Sequence, residues 1–415
     1  MKKLLVIATL FTASTIVYAG GYRVSLQGQR AQGMGHTGVA LTDSAETVFF
    51  NPGSTALLES DREFTGGLNL LNATSKYQNA NTGTRAETDS GIATPLNLYY
   101  NRRINDKLSW GFGIYTPYGS SVEWDTDWAG SHLVNEIELA SVFFQPTLGY
   151  RVNDAVSVGF GPALVVGGVE FNRNLSTSLV DENGNRANVT LEASEVTSYG
   201  FNFGLLATVT DRLNAGINYR SKVDLEARGE SATFSNVPAS LQGTFTNTTF
   251  DADLVLPAEL TVGLAYDISD KTTFAFDVNR AYWSDYEELR IEFANSVPTS
   301  VNPRNYKDAN TVRLGLSHKR DDKWTLRGGY YIDKTPVRDG YFAPETPRPD
   351  STGFTLGATY QSSPKLAYDF SFLYLRFPET DNSYDFYVEN GTTTPFAGTY
   401  LTNAYNVGFG LTYRY

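Results

Sequence analysis

The chain ends in a segment, residues 405–415, that alternates bulky apolar residues with small or polar ones without interruption. Successive side chains of a β-strand point to opposite faces, so this period of two makes one face apolar and the other polar. A strand of this length with aromatic residues near its ends suits a transmembrane barrel, whose outer face meets lipid and whose lumen is polar. An edge strand of a soluble β-sandwich has the same local pattern, so both folds remain open at this point.

The first nineteen residues have the pattern of a secretory signal peptide. Two lysines precede an apolar run over residues 4–17, and small residues stand at positions 17 and 19. Cleavage after Ala19 predicts a mature chain that begins at Gly20. No later segment has the roughly 20 apolar residues that a spanning helix needs, so an exported membrane protein with this sequence must close a barrel. These features predict the outer membrane of a Gram-negative bacterium.

The composition agrees with this location. The formal net charge is −12, which argues against nucleic acid as a partner. The chain has no cysteine, so it has no disulfide or thiolate chemistry in an oxidising compartment. Its 26 tyrosines and 25 phenylalanines are many for 415 residues, and such rings are favoured where lipid meets water.

Alternating segments recur from residue 63 onward, and their connections are short at one end and long at the other. This asymmetry is typical of outer-membrane barrels, which also have an even number of strands. The predicted strands are 63–73, 95–104, 107–116, 136–151, 155–171, 196–210, 213–228, 253–268, 272–294, 307–318, 323–333, 352–361, 365–377 and 400–415. The sequence thus predicts an all-β fold, a 14-stranded antiparallel transmembrane β-barrel over residues 62–415.

Residues 20–61 do not alternate and are not predicted to belong to the wall. A barrel of about fourteen strands is too wide for its own side chains to fill. We therefore expect residues 20–61 to form an N-terminal hatch, a plug inside the lumen, in which Phe49, Phe50, Leu57 and Leu58 pack against the wall. The alternative is a disordered periplasmic tail.

Little in the sequence indicates catalysis. Residues 33–38 fit the glycine pattern of a dinucleotide-binding loop, but no strand precedes them and no parallel unit follows. The three histidines are too far apart for a zinc-ligand pair, and no nucleophile-elbow motif is present. Glu123, Asp125 and Asp127 could hold calcium, although solvated loop charge also explains them. We expect no enzyme activity, no cofactor and no metal site.

A proline and two glycines disturb the third predicted strand. Pro117 has no N–H to donate to a ladder, and Gly113 and Gly119 weaken the strand. We expect the strand to bend and to leave a gap through which a ligand could pass sideways into lipid. The alternative is that Pro117 and Gly119 begin the next loop. Gly200 is a further small residue that could face such a gap.

Several motifs, in one order, resemble those of the FadL/TodX-type outer-membrane transporters. Residues 44–53, with Asn51, Pro52 and Gly53 after an acidic and small stretch, resemble that family's hatch, although Gly53 stands where the family has alanine. Residues 113–119 are similar to its kinked third strand. Further similar segments are residues 218–221, 256–259, 283–284, 306–309 and 322–327. The resemblance spans essentially the whole mature chain.

The resemblance implies a monomeric barrel that carries long-chain fatty acids or other hydrophobic molecules across the outer membrane and releases them into outer-membrane lipid. Gly113, Pro117, Tyr118, Gly119 and Gly200 would then form the lateral opening. Burying a methylene group is worth about 0.8 kcal/mol, so such cargo favours an apolar site over a water-filled pore.

The resemblance also implies ligand contacts. Tyr22 stands where family members have an aromatic residue in the ligand pocket, and ordinary plug packing is the alternative. Arg290 matches a basic residue that meets an acidic headgroup through two hydrogen bonds; a surface ion pair with neighbouring glutamates is the alternative. The family's second basic position falls on Gly168, with Arg173 the nearest cation.

Three functions remain to be distinguished. A hydrophobic transporter predicts a plug and little ion conductance, a diffusion porin predicts an open lumen, and a membrane lipase predicts hydrolysis that depends on a histidine. We favour the transporter. Fatty acids and aromatic hydrocarbons or alkanes are not distinguished by the sequence.

Overall fold

The computed structural model describes residues 21–125, 127–389 and 391–415, so the predicted signal peptide lies outside the described residues. Fourteen long strands form one antiparallel sheet that closes when the first strand pairs with the last. They are β1 (Arg62–Asn79), β2 (Leu96–Arg103), β3 (Leu108–Glu123), β4 (Glu136–Arg151), β5 (Val156–Asn174), β6 (Asn188–Thr210), β7 (Leu213–Arg220 and Val223–Ser235), β8 (Thr248–Leu256 and Glu259–Ser269), β9 (Thr272–Ala281 and Glu288–Phe293), β10 (Ala309–Lys319), β11 (Trp324–Asp333), β12 (Ser351–Ser363), β13 (Leu366–Arg376) and β14 (Phe396–Arg414). The predicted 14-stranded barrel is confirmed.

The period-two pattern sorts side chains between the two faces of the wall. In β14, Val407 and Phe409 are 40% and 45% exposed on the outer face, whereas Asn406 and Thr412 are fully buried on the inner face. β14 pairs with β1 along its length, and this pairing begins with Arg414 opposite Glu63. An apolar outer surface and a polar lumen suit a membrane barrel, and the sandwich alternative is wrong because the sheet has no edge at this seam.

Several strands are longer than predicted. β1 continues to Asn79 instead of 73, and β3 continues to Glu123 instead of 116. β5 and β6 likewise extend into residues 172–195, which lie between the predicted strands 155–171 and 196–210. A ladder needs only backbone N–H and C=O groups, so polar residues on both faces can stay paired where neither face contacts lipid.

Three predicted strands are interrupted instead of continuous. β7 breaks at residues 221–222 and β8 at residues 257–258, where Pro257 cannot donate to the ladder. β9 is interrupted by a short 3-10 helix, Trp283–Asp285. These breaks lie at similar heights in neighbouring strands, next to the lumen site described below.

The lumen is filled by the N-terminal segment of the chain. This hatch contains α1 (Gln29–Gly33), α2 (Thr47–Phe50) and the 3-10 helix Pro52–Leu57. Apart from residues 41–43, residues 21–56 are buried, so the alternative of a free tail is wrong for the described part. Phe49 packs against Tyr115 of β3 with ring centroids 4.9 Å apart. The helices are short, and none within the described ranges is long and apolar enough to cross a membrane.

Candidate transport site

An apolar cavity of about 910 Å³ lies above the hatch, against the walls of β3 to β9. This volume includes the open mouth of the cavity. The cavity is lined mainly by aliphatic and aromatic side chains from successive strands, among them Leu139, Phe171, Leu191, Leu225, Phe250 and Ile291. The inward alternation of each strand therefore supplies one or two apolar groups to a common space.

Tyr22 lies at the hatch side of this cavity and is part of its lining, and its contact with a ligand stays a prediction. Its ring meets Trp283 edge to face with centroids 4.8 Å apart, and its hydroxyl donates to the backbone oxygen of Val255. Burial raises the pKa of Tyr22 well above its ordinary value, so the hydroxyl stays protonated and remains a donor. Tyr22 thus packs within the plug and also borders the cavity.

The polar end of the cavity was not foreseen from the sequence. Arg304 forms a buried ion pair with Glu345, and its guanidinium also donates to the Tyr384 hydroxyl at 3.2 Å. The other charged group of the lining, Asp253, is paired with Arg228 at 2.6 Å. Among the described lining residues, every charge therefore has an ion partner. Arg304 and Glu345 lie in separate loops, and no local pattern links them.

The two arginines predicted to contact the ligand lie outside the described cavity lining. Arg290 is half exposed and pairs with Glu288 at 2.9 Å, while its neighbours Leu289 and Ile291 line the cavity. Alternation along β9 puts Arg290 on the opposite face from these two residues. Arg173 donates to the backbone oxygen of His132 at 3.1 Å. The geometry therefore agrees with the ion-pair alternative for Arg290.

The predicted bend of the third strand is a β-bulge. Tyr115 pairs with Phe143 and Tyr118 with Ser141, so Thr116 and Pro117 together oppose a single residue of β4. Residues 117–122 are all buried, so both faces of this part of β3 are covered, although residues 118–123 stay paired with β4. The alternative in which Pro117 and Gly119 begin a loop is wrong, because β3 continues to Glu123.

The hatch pairs with the inner edge of this bulge. The Val24 N–H donates to the Pro117 oxygen at 2.7 Å, and the Gly119 N–H donates to the Tyr22 oxygen at 2.8 Å. The Tyr118 hydroxyl reaches across the lumen to the oxygen of Pro257 at 2.9 Å. The start of the hatch thus forms an isolated antiparallel β-bridge, Arg23 with Tyr118, on a part of β3 that lies beyond its pairing with β2.

The other two residues of the predicted opening lie elsewhere. Gly113 stays in the regular ladder, opposite Gln145 of β4 and Tyr99 of β2. Gly200 lies on β6, three strands away from β3, and pairs with Ala163 of β5. Consecutive strands are neighbours in this barrel, so the separation agrees with the predicted strand list, in which Gly113 belongs to the third strand and Gly200 to the sixth.

The hatch motif holds the plug to the wall. Asn51 caps the 3-10 helix by accepting from the Gly53 N–H at 2.9 Å, and Pro52 occupies the first helical position. The amide nitrogen of Asn51 also donates to the backbone oxygens of Val39 at 2.6 Å and Leu205 of β6 at 3.0 Å. One side chain therefore links the helix, the hatch loop and the barrel.

A second anchor is the buried guanidinium of Arg23. It pairs with Glu259 of β8 at 3.2 Å and Asp333 of β11 at 3.0 Å, and donates to Thr311 of β10 at 2.6 Å. It also donates to Asn279 of β9. Four strands of the wall thus converge on one hatch residue.

Comparisons with known proteins agree with this architecture. The model of the family described as outer membrane protein transport protein (OMPP1/FadL/TodX) matches residues 10–415. Outer membrane protein P1 of Haemophilus influenzae is 24% identical, over 81% of each chain, and the long-chain fatty acid transport protein of Escherichia coli (strain K12) is 21% identical, over 87% of this chain and 89% of that one.

Two solved structures share the fold. A Pseudomonas aeruginosa FadL homologue has a TM-score of 0.84 at 20% identity and covers 95% of this chain and all of its own. The Pseudomonas putida toluene transporter TodX has a TM-score of 0.71 at 18% identity, over 96% of this chain and 99% of that one. With the family match extending over nearly the full length, the chain belongs to the OMPP1/FadL/TodX family of outer membrane transport proteins.

Proposed function

We propose that this protein takes up hydrophobic molecules by binding them in the apolar cavity above the hatch and releasing them sideways into the outer membrane. The observation that carries this proposal is the cavity itself, an apolar space with paired charges in a lumen filled by the hatch. At about 0.8 kcal/mol per buried methylene, a long alkyl chain gains roughly 12 kcal/mol there. A diffusion porin needs an open lumen, which the hatch occupies.

Long-chain fatty acids are the first candidate substrate. Relatives from Escherichia coli and Salmonella typhi, at 21% and 22% identity, are named long-chain fatty acid transport proteins. Neutral hydrocarbons are the second candidate, because each charge of the described lining is already paired and two structures of the same fold are toluene transporters. If the substrate is a fatty acid instead, we expect its carboxylate headgroup to lie near the tyrosine hydroxyls at the polar end of the cavity.

Neighbouring residues of β9 provide a matched test of cavity binding. Ile291→Glu places a carboxylate in the apolar lining, so we expect saturable uptake of both oleate and toluene to be lost. Arg290→Gln changes the opposite face of the same strand and is expected to leave both uptakes unchanged. The measurement is uptake of each labelled compound by cells that lack their own transporter.

The outcomes of this test separate the candidates. Uptake of oleate alone by the unmodified protein selects the fatty acid, and uptake of toluene alone selects the hydrocarbon. Selective loss of oleate uptake in Arg290→Gln would assign the headgroup contact to Arg290 after all. Normal uptake in a folded Ile291→Glu protein would overturn the cavity as the binding site.

The bulge of β3 is our proposed exit. Replacing Pro117 and Gly119 with valine adds an N–H group and Cβ atoms that favour a regular strand. We expect the double variant to insert as a folded barrel and to lose most uptake while purified protein still binds ligand. If the double variant takes up ligand at the rate of the unmodified protein, the bulge is not the exit.

A further inference from the structure

The ladder between β6 and β7 is interrupted in its middle. The two strands pair up to Asn202 opposite Arg220, and pairing resumes at Glu192 opposite Ser231. Both strands keep their other neighbours, β5 and β8, so each remains part of the wall. The segments without ladder pairing to each other are residues 193–200 of β6 and residues 222–230 of β7.

Each strand carries a bulge beside this interruption. On β6 the register shifts where Val169 pairs with Ala193 and Gly167 with Val196, and Glu195 has a positive φ of 58°. On β7 the register with β8 shifts after Ala227, next to Gly229 at a φ of 68°. Bulges bend the strand that carries them, so the two strands part and later meet again.

The inner side of the interruption is the apolar cavity. Gly167, Gly168, Val196 and Leu225 all line it. Leu225 of β7 reaches past β6 towards β5, because a Cβ atom on Gly167 would lie only 2.7 Å from its Cδ1 atom. Side chains, and not backbone hydrogen bonds, therefore close the wall at this interruption. Side chains change rotamer far faster than the backbone hydrogen bonds between two strands break.

The outer side of the interruption lies at a boundary between apolar and charged surface. Tyr199 of β6 is 74% exposed, and Phe201 below it is also exposed. On β7 the outward residues are charged instead, with Lys222 paired to Asp224 at 3.1 Å. Aromatic residues mark the level where hydrocarbon meets headgroups, so the gap opens at the membrane boundary nearest the long loops.

We propose that this gap is a second passage through the barrel wall, by which hydrophobic ligand moves between the cavity and the outer-membrane boundary. The passage rests on the proposed uptake function and is separate from the bulge of β3. Leu225, Val223 and Val196 are its gate: Leu225 packs against Gly167 and Val223 against Gly200, where an added Cβ atom would lie 2.7 Å from the Leu225 Cδ1 and Val223 Cγ2 atoms, respectively. The ligand class is the apolar cargo of the cavity, because the gate is apolar on its inner side.

A reversible bridge across the outer mouth tests the passage. The chain has no cysteine, so Thr197→Cys with Asp224→Cys can be joined selectively by a short bis-methanethiosulfonate. The matched control is Leu205→Cys with Ile217→Cys, two residues that already pair in the intact part of the same ladder. Uptake of oleate and toluene is measured before bridging, after bridging and after reduction, together with ligand binding by the purified protein.

We expect the mouth bridge to lower uptake without changing binding, because only the bulge of β3 then stays open, and we expect reduction to restore uptake and the control bridge to change neither. Unchanged uptake in the bridged mouth variant would overturn the passage, and so would equal loss of uptake and binding. Absence of uptake in the unbridged protein would instead contradict the proposed function, so the two failures can be told apart.

Discussion

Replacing Arg23 with methionine is expected to release the start of the hatch from the barrel wall. The substitution leaves the buried carboxylate of Asp333 without this cation, whereas Glu259 keeps a second ion partner, Arg220 at 3.6 Å. Breaking a buried ion pair by removing one partner costs about 3–5 kcal/mol. The segment that pairs with β3 should then detach, raising single-channel ion conductance and exposing the buried Arg30 to trypsin.

Arg280→Met is the matched control. Its side chain is half exposed and pairs with Asp308 at 2.9 Å, and surface pairs of this kind are worth about 0–1 kcal/mol. We expect low conductance and a protected Arg30 in this variant. Low conductance and a trypsin-resistant Arg30 in a correctly inserted Arg23→Met barrel would refute the role of Arg23 as an anchor of the hatch.

Replacing Gly329 with valine is expected to displace the turn of the hatch that follows α1. A Cβ atom there would lie 2.0 Å from the backbone nitrogen of Gly35 and 2.3 Å from the carbonyl carbon of Met34. Both are backbone atoms, and the Gly35 N–H is held by Thr355 at 2.8 Å, so the overlap cannot be relieved by a rotamer change. Overpacking of this kind costs about 1–3 kcal/mol.

The neighbouring residue provides the control for this variant. At Gly328, on the outer face of β11, the nearest atom to an added Cβ is the Thr355 oxygen at 4.0 Å. Gly328→Val should therefore leave conductance and ligand binding unchanged, whereas Gly329→Val should raise conductance and weaken binding. Barrel assembly of both variants is measured by the difference in gel mobility between the folded protein in an unheated sample and the unfolded protein in a heated one. Equal behaviour of the two variants would contradict the close contact between hatch and wall.

Strand number and hatch were predictable because each depends on a local pattern. A period of two over β14 or β12 reports which face meets lipid, and its absence over residues 20–61 reports a segment outside the wall. Strand ends were predicted less well, because extensions such as residues 117–123 remain paired although their sequence does not alternate regularly between apolar and polar residues. The bulge at Pro117 was predictable because proline removes a ladder donor wherever it lies.

The site depended on contacts that no local pattern contains. Tyr22 was placed by resemblance, but Arg304 and Glu345 meet only because two loops fold over the same cavity. Arg290 was likewise predicted from the resemblance, yet strand alternation directs it away from Leu289 and Ile291, which line the cavity.

By itself, the sequence determined the all-β class, the number of strands and the existence of a plug, because alternation and its interruption are properties of consecutive residues. The tertiary structure decided which buried charges pair, where the wall parts between β6 and β7, and which apolar groups share one cavity. Those features depend on strand register around a closed barrel, which brings together residues far apart in sequence, such as Arg23 and Asp333, which are 310 positions apart.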